Sequence, residues 1–420
     1  MELKKAFKNQ YFFSVIAKMF MVIIGLLNSI FLARYLGPEL KGIVTSVVNN
    51  SNIISIVITF GLHQAYFYYR KRDQSEGFLS EFMSLTIVVF SIYFLVSGCI
   101  IAVILPDPEV ISCAMLSIIM GYSTVVNHVA LAEFPNRRNT IMSLIHLIDL
   151  LVLIFLYFVI PVSYGIAMVL SGFVFLAEAI IYTWVIPFKF NIHNLRVALF
   201  LKYIKFGLLP MLAILLSTFN YRIDVIMLRA SDNVSFAEIG IYSIGVSLAE
   251  KVFLVPDAVK EILISKLTKG KDKEEVAKVI RVCWPIALLS TIGIVIFGKL
   301  FIDIFYGIEY SAAYQTTVIC VFGTVFMVFF KMISSFNIVN GKQYVNMIVL
   351  VIADLFNVVL NLCLIPIWGC NGAAIASDIS YLLCALAFLI YFSKTQSIPI
   401  KKIVLLQKND LKVIRKKKRG

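Results

Sequence analysis

Ten ionisable side chains fall inside long apolar stretches of this chain: the cations Lys18, Arg222, Lys251 and Lys331, and the acids Asp149, Glu178, Asp224, Glu250, Asp354 and Asp378. A charge at the centre of a hydrocarbon layer costs on the order of 3 kcal/mol or more, so each is a candidate for function. Lys18, Arg222 and Lys331 could hold an anionic ligand. Arg offers phosphate oxygens a planar fork and Lys a point charge. Lys331 lies near the end of its stretch, where its stem could equally carry the ammonium out to the interface. Arg222 and Asp224 are two residues apart on one helix, about 200° around it, and cannot pair with each other. We read Asp224 as a structural contact to a neighbouring helix. Asp149, Asp354, Glu178 and Asp378 are candidates for ion coupling, because a carboxyl that protonates in one conformation and ionises in another is a minimal proton-coupling device. His146, three residues before Asp149 and on the same face, could share the proton.

Uncharged polar residues form stripes at helical spacing. Asn49, Asn52, Ser55, Thr59 and His63 recur every three or four residues, as do Ser117, Gly121, Thr124 and His128, and then Asp354, Asn357 and Asn361. Such a face either hydrogen-bonds to the next helix or lines a wet cleft. For single Ser or Thr residues the interhelical role is preferred. Asn49, Asn52, Thr59, His63, Thr124, His128 and Asn357 are taken as cleft lining.

Other chemistry is excluded residue by residue. The four histidines stand at no metal-ligand spacing from Cys or Asp, and no metal or other cofactor is expected. Gly341-Lys342-Gln343 lacks the upstream glycine and the Ser or Thr of a phosphate-binding loop. The seven scattered cysteines form no C-x-x-C pair and read as small packing residues. No catalytic constellation is present, so the chain is not expected to be an enzyme. With no nucleotide site, energy must come from a proton or sodium gradient, the membrane potential or a partner.

The elements that position these residues follow from composition. Hydrophobic residues make up 60% and charged ones 15%, with mean hydropathy +0.92, where a soluble domain carries about a quarter charged residues. The apolar blocks run roughly 20 residues or more, enough to cross a ~30 Å hydrocarbon core as helices. Twelve spans are predicted: 11–33, 42–68, 78–105, 110–133, 140–160, 163–187, 203–228, 237–264, 282–304, 312–338, 344–366 and 370–393. The connectors on one side, with the two termini, hold 29 of the 38 Lys and Arg residues, and the opposite side holds four: Arg34, Lys41, Arg229 and Lys299. By the positive-inside rule both termini are cytoplasmic. The first stretch is too long for a cleaved leader and reads as an uncleaved helix. The net charge of +14 is concentrated in connectors and in the tail beyond Lys394, a topogenic anchor near anionic headgroups. Nothing aromatic or folded accompanies the tail's basic residues, so nucleic acid is not an expected partner.

An internal repeat organises the spans. Asp149-Leu150 and Ile160-Pro161 recur as Asp354-Leu355 and Ile365-Pro366 at an offset of 205 residues, and Arg137 and Met142 fall on Lys342 and Met347 at the same offset. Each half would hold six spans in one orientation. That gives two six-helix bundles, 1–190 and 203–393, joined by a cytoplasmic linker at 191–202 and followed by the basic tail 394–420. A parallel pseudo-twofold axis along the membrane normal would place a central cleft between them, the architecture of alternating access.

The segments Phe31-Leu-Ala-Arg-Tyr-Leu-Gly-Pro-Glu-Leu-Lys-Gly42, Asp224 followed by Gly240-Ile-Tyr-Ser243 and Pro256, and Leu364-Ile-Pro-Ile-Trp-Gly-Cys-Asn-Gly-Ala-Ala-Ile-Ala376 resemble, in order, the polysaccharide-type flippases of the multidrug/oligosaccharidyl-lipid/polysaccharide exporter (MOP) superfamily. The resemblance covers 11–393. It implies an all-α membrane transporter that flips an undecaprenyl-diphosphate-linked oligosaccharide across the bacterial inner membrane for surface polysaccharide assembly. It also implies membrane lipids, a polysaccharide polymerase and glycosyltransferases as partners. The lipid II flippase branch has two further helices, and no matching stretch follows Lys394. A drug/cation antiporter of the multidrug and toxin extrusion type is the alternative, and a non-transporting scaffold for glycan synthesis is a third reading. Charge content does not separate the transport readings, since a diphosphate needs cations, a cationic drug needs acids, and both occur at depth.

Overall fold

The structure is a computed structural model. It describes residues 2–104, 106–191, 197–267, 273–407 and 410, with side chains from Phe20 onward except those of Glu261, Ile262 and Ser265. All regular structure among these residues is helical. Ten helices are long and apolar enough to cross a membrane. Two of them, α1 (Glu2–Ile58) and α12 (Gln343–Gln396), are each a pair of helices merged across a glycine, which gives the twelve spans expected. Their outer surfaces carry large apolar side chains, with Trp184 91%, Val103 84% and Phe158 74% exposed. Water would penalise such a surface and lipid does not, so the chain is a multi-pass membrane protein.

The two hinges replace loops expected from sequence. Gly37, with φ 69° and ψ 170°, turns α1 just before Pro38, and Gly369, with φ 53° and ψ −130°, turns α12 beyond Pro366. Glycine reaches these angles without a Cβ penalty, and proline then pre-sets the next helical φ in α1, so a single residue turns the chain. A second correction concerns the span expected over 42–68. It breaks at Phe60 and Gly61, both at positive φ, before the short helix α2 (Leu62–Arg70). A third concerns helix ends. Helix α10 (Lys273–Phe301) begins inside the expected connector 265–281, because Glu274 and Glu275 suit its positive N-terminal end.

The chain forms two compact units, Met1–Leu215 and Leu216–Gly420. The first holds α1, α2, α3 (Glu76–Ile104), α4 (Pro108–Glu133), α5 (Pro135–Val159), α6 (Tyr164–Val185) and the start of α7 (Val197–Arg229). Helix α4 is its axis, packing on α1, α2, α3, α5 and α6. Asp107 caps α4 by accepting from the Glu109 amide at 2.8 Å, with Pro108 at the first helical position. At the break before α2 the backbones of Gly61 and Gly207 touch, and a Cβ on either would overlap the other's carbonyl region. Tyr68 stacks on Phe206 at 4.1 Å and Tyr69 meets Tyr203 at 5.3 Å, which ties α2 to the start of α7.

The second unit holds the rest of α7, then α8 (Phe236–Ala249), a 3-10 turn over Glu250–Phe253, α9 (Leu254–Leu267), α10, α11 (Ala313–Val339), α12 and α13 (Ile400–Val404). Helix α11 is its axis, packing on α8, α9, α10 and α12. Ser235 and Glu238 form a capping box at the start of α8. The segment after α12 folds back onto α10, where Arg281 donates through Nε to Asp410 at 2.6 Å and through Nη1 to the Lys402 carbonyl at 2.7 Å. Both partners are buried, and the guanidinium holds the Asp410 carboxyl below the ordinary carboxylate range. The tail residues 411–420 lie outside the described residues.

Candidate functional site

One arrangement occurs once in each unit. In the first, Asn28 on α1 donates through Nδ2 to Asp149 Oδ2 on α5 at 2.5 Å. In the second, Asn220 on α7 donates through Nδ2 to Asp354 Oδ1 on α12 at 3.0 Å. Both carboxylates are only 7% exposed. The two acids are the ones related by the 205-residue repeat, and each meets an amide from the first helix of its own half. Sequence reasoning named the acids and missed the amides. An isolated Asn in an apolar helix carries no period, and only its recurrence in the first helix of both halves could have marked it. His146 makes no hydrogen bond to Asp149 among the described residues.

The two clasps differ in what remains open. In the second unit Asp354 Oδ2, Asn220 Oδ1 and Asn361 Oδ1 are buried without a partner among the described residues. Asn357 and Asn361 share the face of α12 that carries Asp354, with Asn361 donating to Asn357 Oδ1 at 2.5 Å. Asn357 in turn donates to Ser377 Oγ at 3.4 Å. Unpartnered buried oxygens are costly, and each asks for an occupant or a role. Asp378 is separate, accepting from the Gly323 backbone amide of α11 at 2.9 Å.

In the first unit Glu178 is buried on α6 and accepts from Ser123 at 3.0 Å and Asn127 at 2.9 Å, both on α4. Arg138 holds the far side of Asn127, donating through Nε to Oδ1 at 2.9 Å. Neither Asn127 nor Arg138 was singled out from sequence. The rings of His63 and His128 meet at a tilt of 47° with centroids 4.6 Å apart, and His128 Nδ1 lies 2.7 Å from the Thr124 carbonyl. Asn49, Thr59 and His63 are buried and Asn52 is exposed, and the break at Gly61 puts His63 on α2 rather than on α1. Thr59 donates back to the Ile56 carbonyl at 2.7 Å.

The cations cluster in the second unit around the 3-10 turn between α8 and α9. Arg222 Nη2 lies 3.2 Å from Glu250 Oε2, at side-chain exposures of 39% and 26%. Lys331 Nζ lies 2.7 Å from Asp257 Oδ1 and 4.0 Å from the Phe253 ring centroid, at side-chain exposures of 11% for Lys331 and 51% for Asp257. The Lys331 ammonium is therefore held by a carboxylate and an aromatic face rather than extended alone to an interface. Asp224 turns the other way, accepting from the Tyr242 hydroxyl of α8, so the structural reading of Asp224 fits its place. The Lys18 side chain lies outside the described residues.

Solved structures of low sequence identity share this fold. A lipid II flippase, MurJ, in an inward closed conformation superposes with TM-score 0.68 at 15% identity, covering 93% of this chain and 88% of that one. An inward-facing multidrug resistance MATE family transporter of the MOP superfamily gives 0.66 at 12% identity, covering 90% and 95%. A MOP superfamily transporter from Pyrococcus furiosus, described as having a binding pocket of reverse polarity that suggests a different function, gives 0.57 at 13%, covering 91% and 93%. No curated protein sequence matches the chain. The profile of one family, described as polysaccharide biosynthesis protein, matches residues 31–315, well over half of the chain. On that match, and with the helical architecture of the MOP transporters around its paired Asn–Asp clasps, the chain belongs to the polysaccharide biosynthesis protein family.

Proposed function

We propose that the protein is a secondary transporter that flips an undecaprenyl-diphosphate-linked oligosaccharide across the bacterial cytoplasmic membrane by alternating access. The observation that carries this reading is the cation pair of the second unit. Arg222 and Lys331 flank one helix break, each held by a carboxylate that is itself partly exposed. A diphosphate carries the charge and oxygens to exchange with those carboxylates and take their place on the two basic groups. Lys18 is proposed separately as a substrate-binding cation. The MOP transporter described as having reversed pocket polarity makes pocket charge a natural axis on which members of this fold diverge. Polysaccharide polymerase and glycosyltransferases are proposed partners, and a proton or sodium gradient the proposed energy source.

Purified protein in vesicles with a labelled lipid-linked oligosaccharide gives the test. The wild type should move the label between leaflets, and Arg222→Ala with Lys331→Ala should slow it by about tenfold or more, a loss of about 1.4 kcal/mol. The double variant should keep the wild-type elution profile. Gradient-driven efflux of a cationic dye, with no movement of the lipid-linked oligosaccharide, would instead establish the drug antiporter.

A further inference from the structure

The second unit contains a slot of about 360 Å³ at the end of the unit remote from its basic connectors. Three segments wall it: the turn between α7 and α8 with the start of α8, the start of α11, and the hinge of α12. At the opposite end of this unit lie Lys266, Lys273, Lys394, Lys401 and Lys402, so the slot opens on the outward face in the topology proposed above. Tyr242 is among its lining residues, and its hydroxyl is committed to Asp224.

The lining chemistry is specific. Asn233, Gln315 and Asn371 each present an amide that makes no side-chain hydrogen bond among the described residues. Glu238 adds a carboxylate, one oxygen of which is used by the capping box. Trp368 adds an indole that is 54% exposed. Among the described residues no Lys or Arg lines the slot. An amide donates and accepts at once, which matches the vicinal hydroxyls of a sugar, and an indole face suits the C–H face of a pyranose ring. Without a cation, and with Glu238 present, the same slot disfavours phosphate. The volume is near the lower end of the roughly 300–1,000 Å³ of ligand pockets, room for a short saccharide segment rather than a whole chain.

We propose that this slot is a saccharide subsite on the outward face of the second unit, which holds uncharged sugar residues of the glycan while the diphosphate is bound elsewhere. The proposal rests on the flippase reading for its biological cargo. Gly369, the hinge residue of α12, lines the slot, so a bound sugar touches the joint between the two halves of that helix.

Intrinsic fluorescence of the full chain in lipid nanodiscs tests the site, with Trp184→Phe and Trp284→Phe leaving Trp368 as the reporter. The probes are soluble neutral oligosaccharides built from hexoses and N-acetylhexosamines, a sialylated oligosaccharide, and inorganic pyrophosphate. Neutral saccharides should shift Trp368 emission saturably, and Gln315→Ala with Asn371→Ala should weaken the response at least tenfold in proteins of unchanged melting temperature. Pyrophosphate should give no Trp368 response. If no neutral saccharide shifts the emission, or the shift survives the double substitution, the subsite is refuted even where vesicles still flip lipid-linked oligosaccharide. Should vesicle transport fail while saccharide binding persists, the flippase reading falls and the subsite stands.

Discussion

Asparagine keeps the hydrogen-bonding shape of aspartate and removes its ability to ionise, which makes the two Asn–Asp clasps separable by substitution. Asp354 keeps one oxygen unpartnered, as does its donor Asn220, and hard oxygen atoms of this kind suit a proton or a small hard cation. We predict that Asp354→Asn lowers transport driven by a pH or sodium gradient by at least about tenfold at unchanged protein yield, and that adding Asp149→Asn abolishes the dependence on the gradient. Vesicles with an imposed gradient and labelled lipid-linked oligosaccharide give the readout. Full gradient-driven transport by the double variant would make both carboxylates architectural. At this scale the acids were legible because a charge in an apolar run is conspicuous. Their partners were not, since Asn28 and Asn220 look like any polar interruption until the fold brings α1 to α5 and α7 to α12.

Helix existence was legible in the hydrophobic blocks, and helix continuity was not. A block reports what the backbone is buried in, while the joint between two blocks depends on one or two dihedral angles. Gly37-Pro38 reads as a loop in sequence and forms a hinge inside α1, and the run over 42–68 reads as one span although Phe60 and Gly61 break it. The two kinds of joint should respond differently to a methyl group. At Gly37 an added Cβ meets nothing within 4 Å, so Gly37→Ala bears only the backbone cost of its φ of 69°, about 1–3 kcal/mol. At Gly61 a left-handed backbone strain is joined by overlap with the backbone of Gly207, which cannot swing aside as a side chain would. Thermal unfolding in detergent should therefore rank wild type above Gly37→Ala and Gly37→Ala above Gly61→Ala. Equal melting temperatures for Gly61→Ala and the wild type would show that the α2–α7 approach is not tight.

The distribution of charge over the whole chain predicts an orientation that no single helix can. Twenty-nine of the 38 basic residues fall in the two termini and the connectors of one side, and the opposite side carries four. Translocating Lys or Arg across the membrane during insertion is disfavoured, so the rich side is predicted to be cytoplasmic. Within the first unit the rich side includes Arg70, Lys71 and Arg72 at the end of α2, and the poor side includes the capped turn at Asp107. Within the second, the rich side includes Lys266 and the α13 lysines, and the poor side includes Asp232 and the Gly369 hinge. Since the hinges carry α1 and α12 each through two spans, twelve crossings return the chain to its starting side, and both termini should be cytoplasmic. Single cysteines at positions 72, 107, 232 and 266, placed in a variant lacking the seven native cysteines, should divide cleanly with an impermeant thiol reagent in intact cells. Positions 107 and 232 should label at once, and positions 72 and 266 only after permeabilisation. The reverse pattern would invert the protein in the membrane and move the proposed saccharide slot to the cytoplasmic face, where a glycan leaving the carrier's outward state could not meet it.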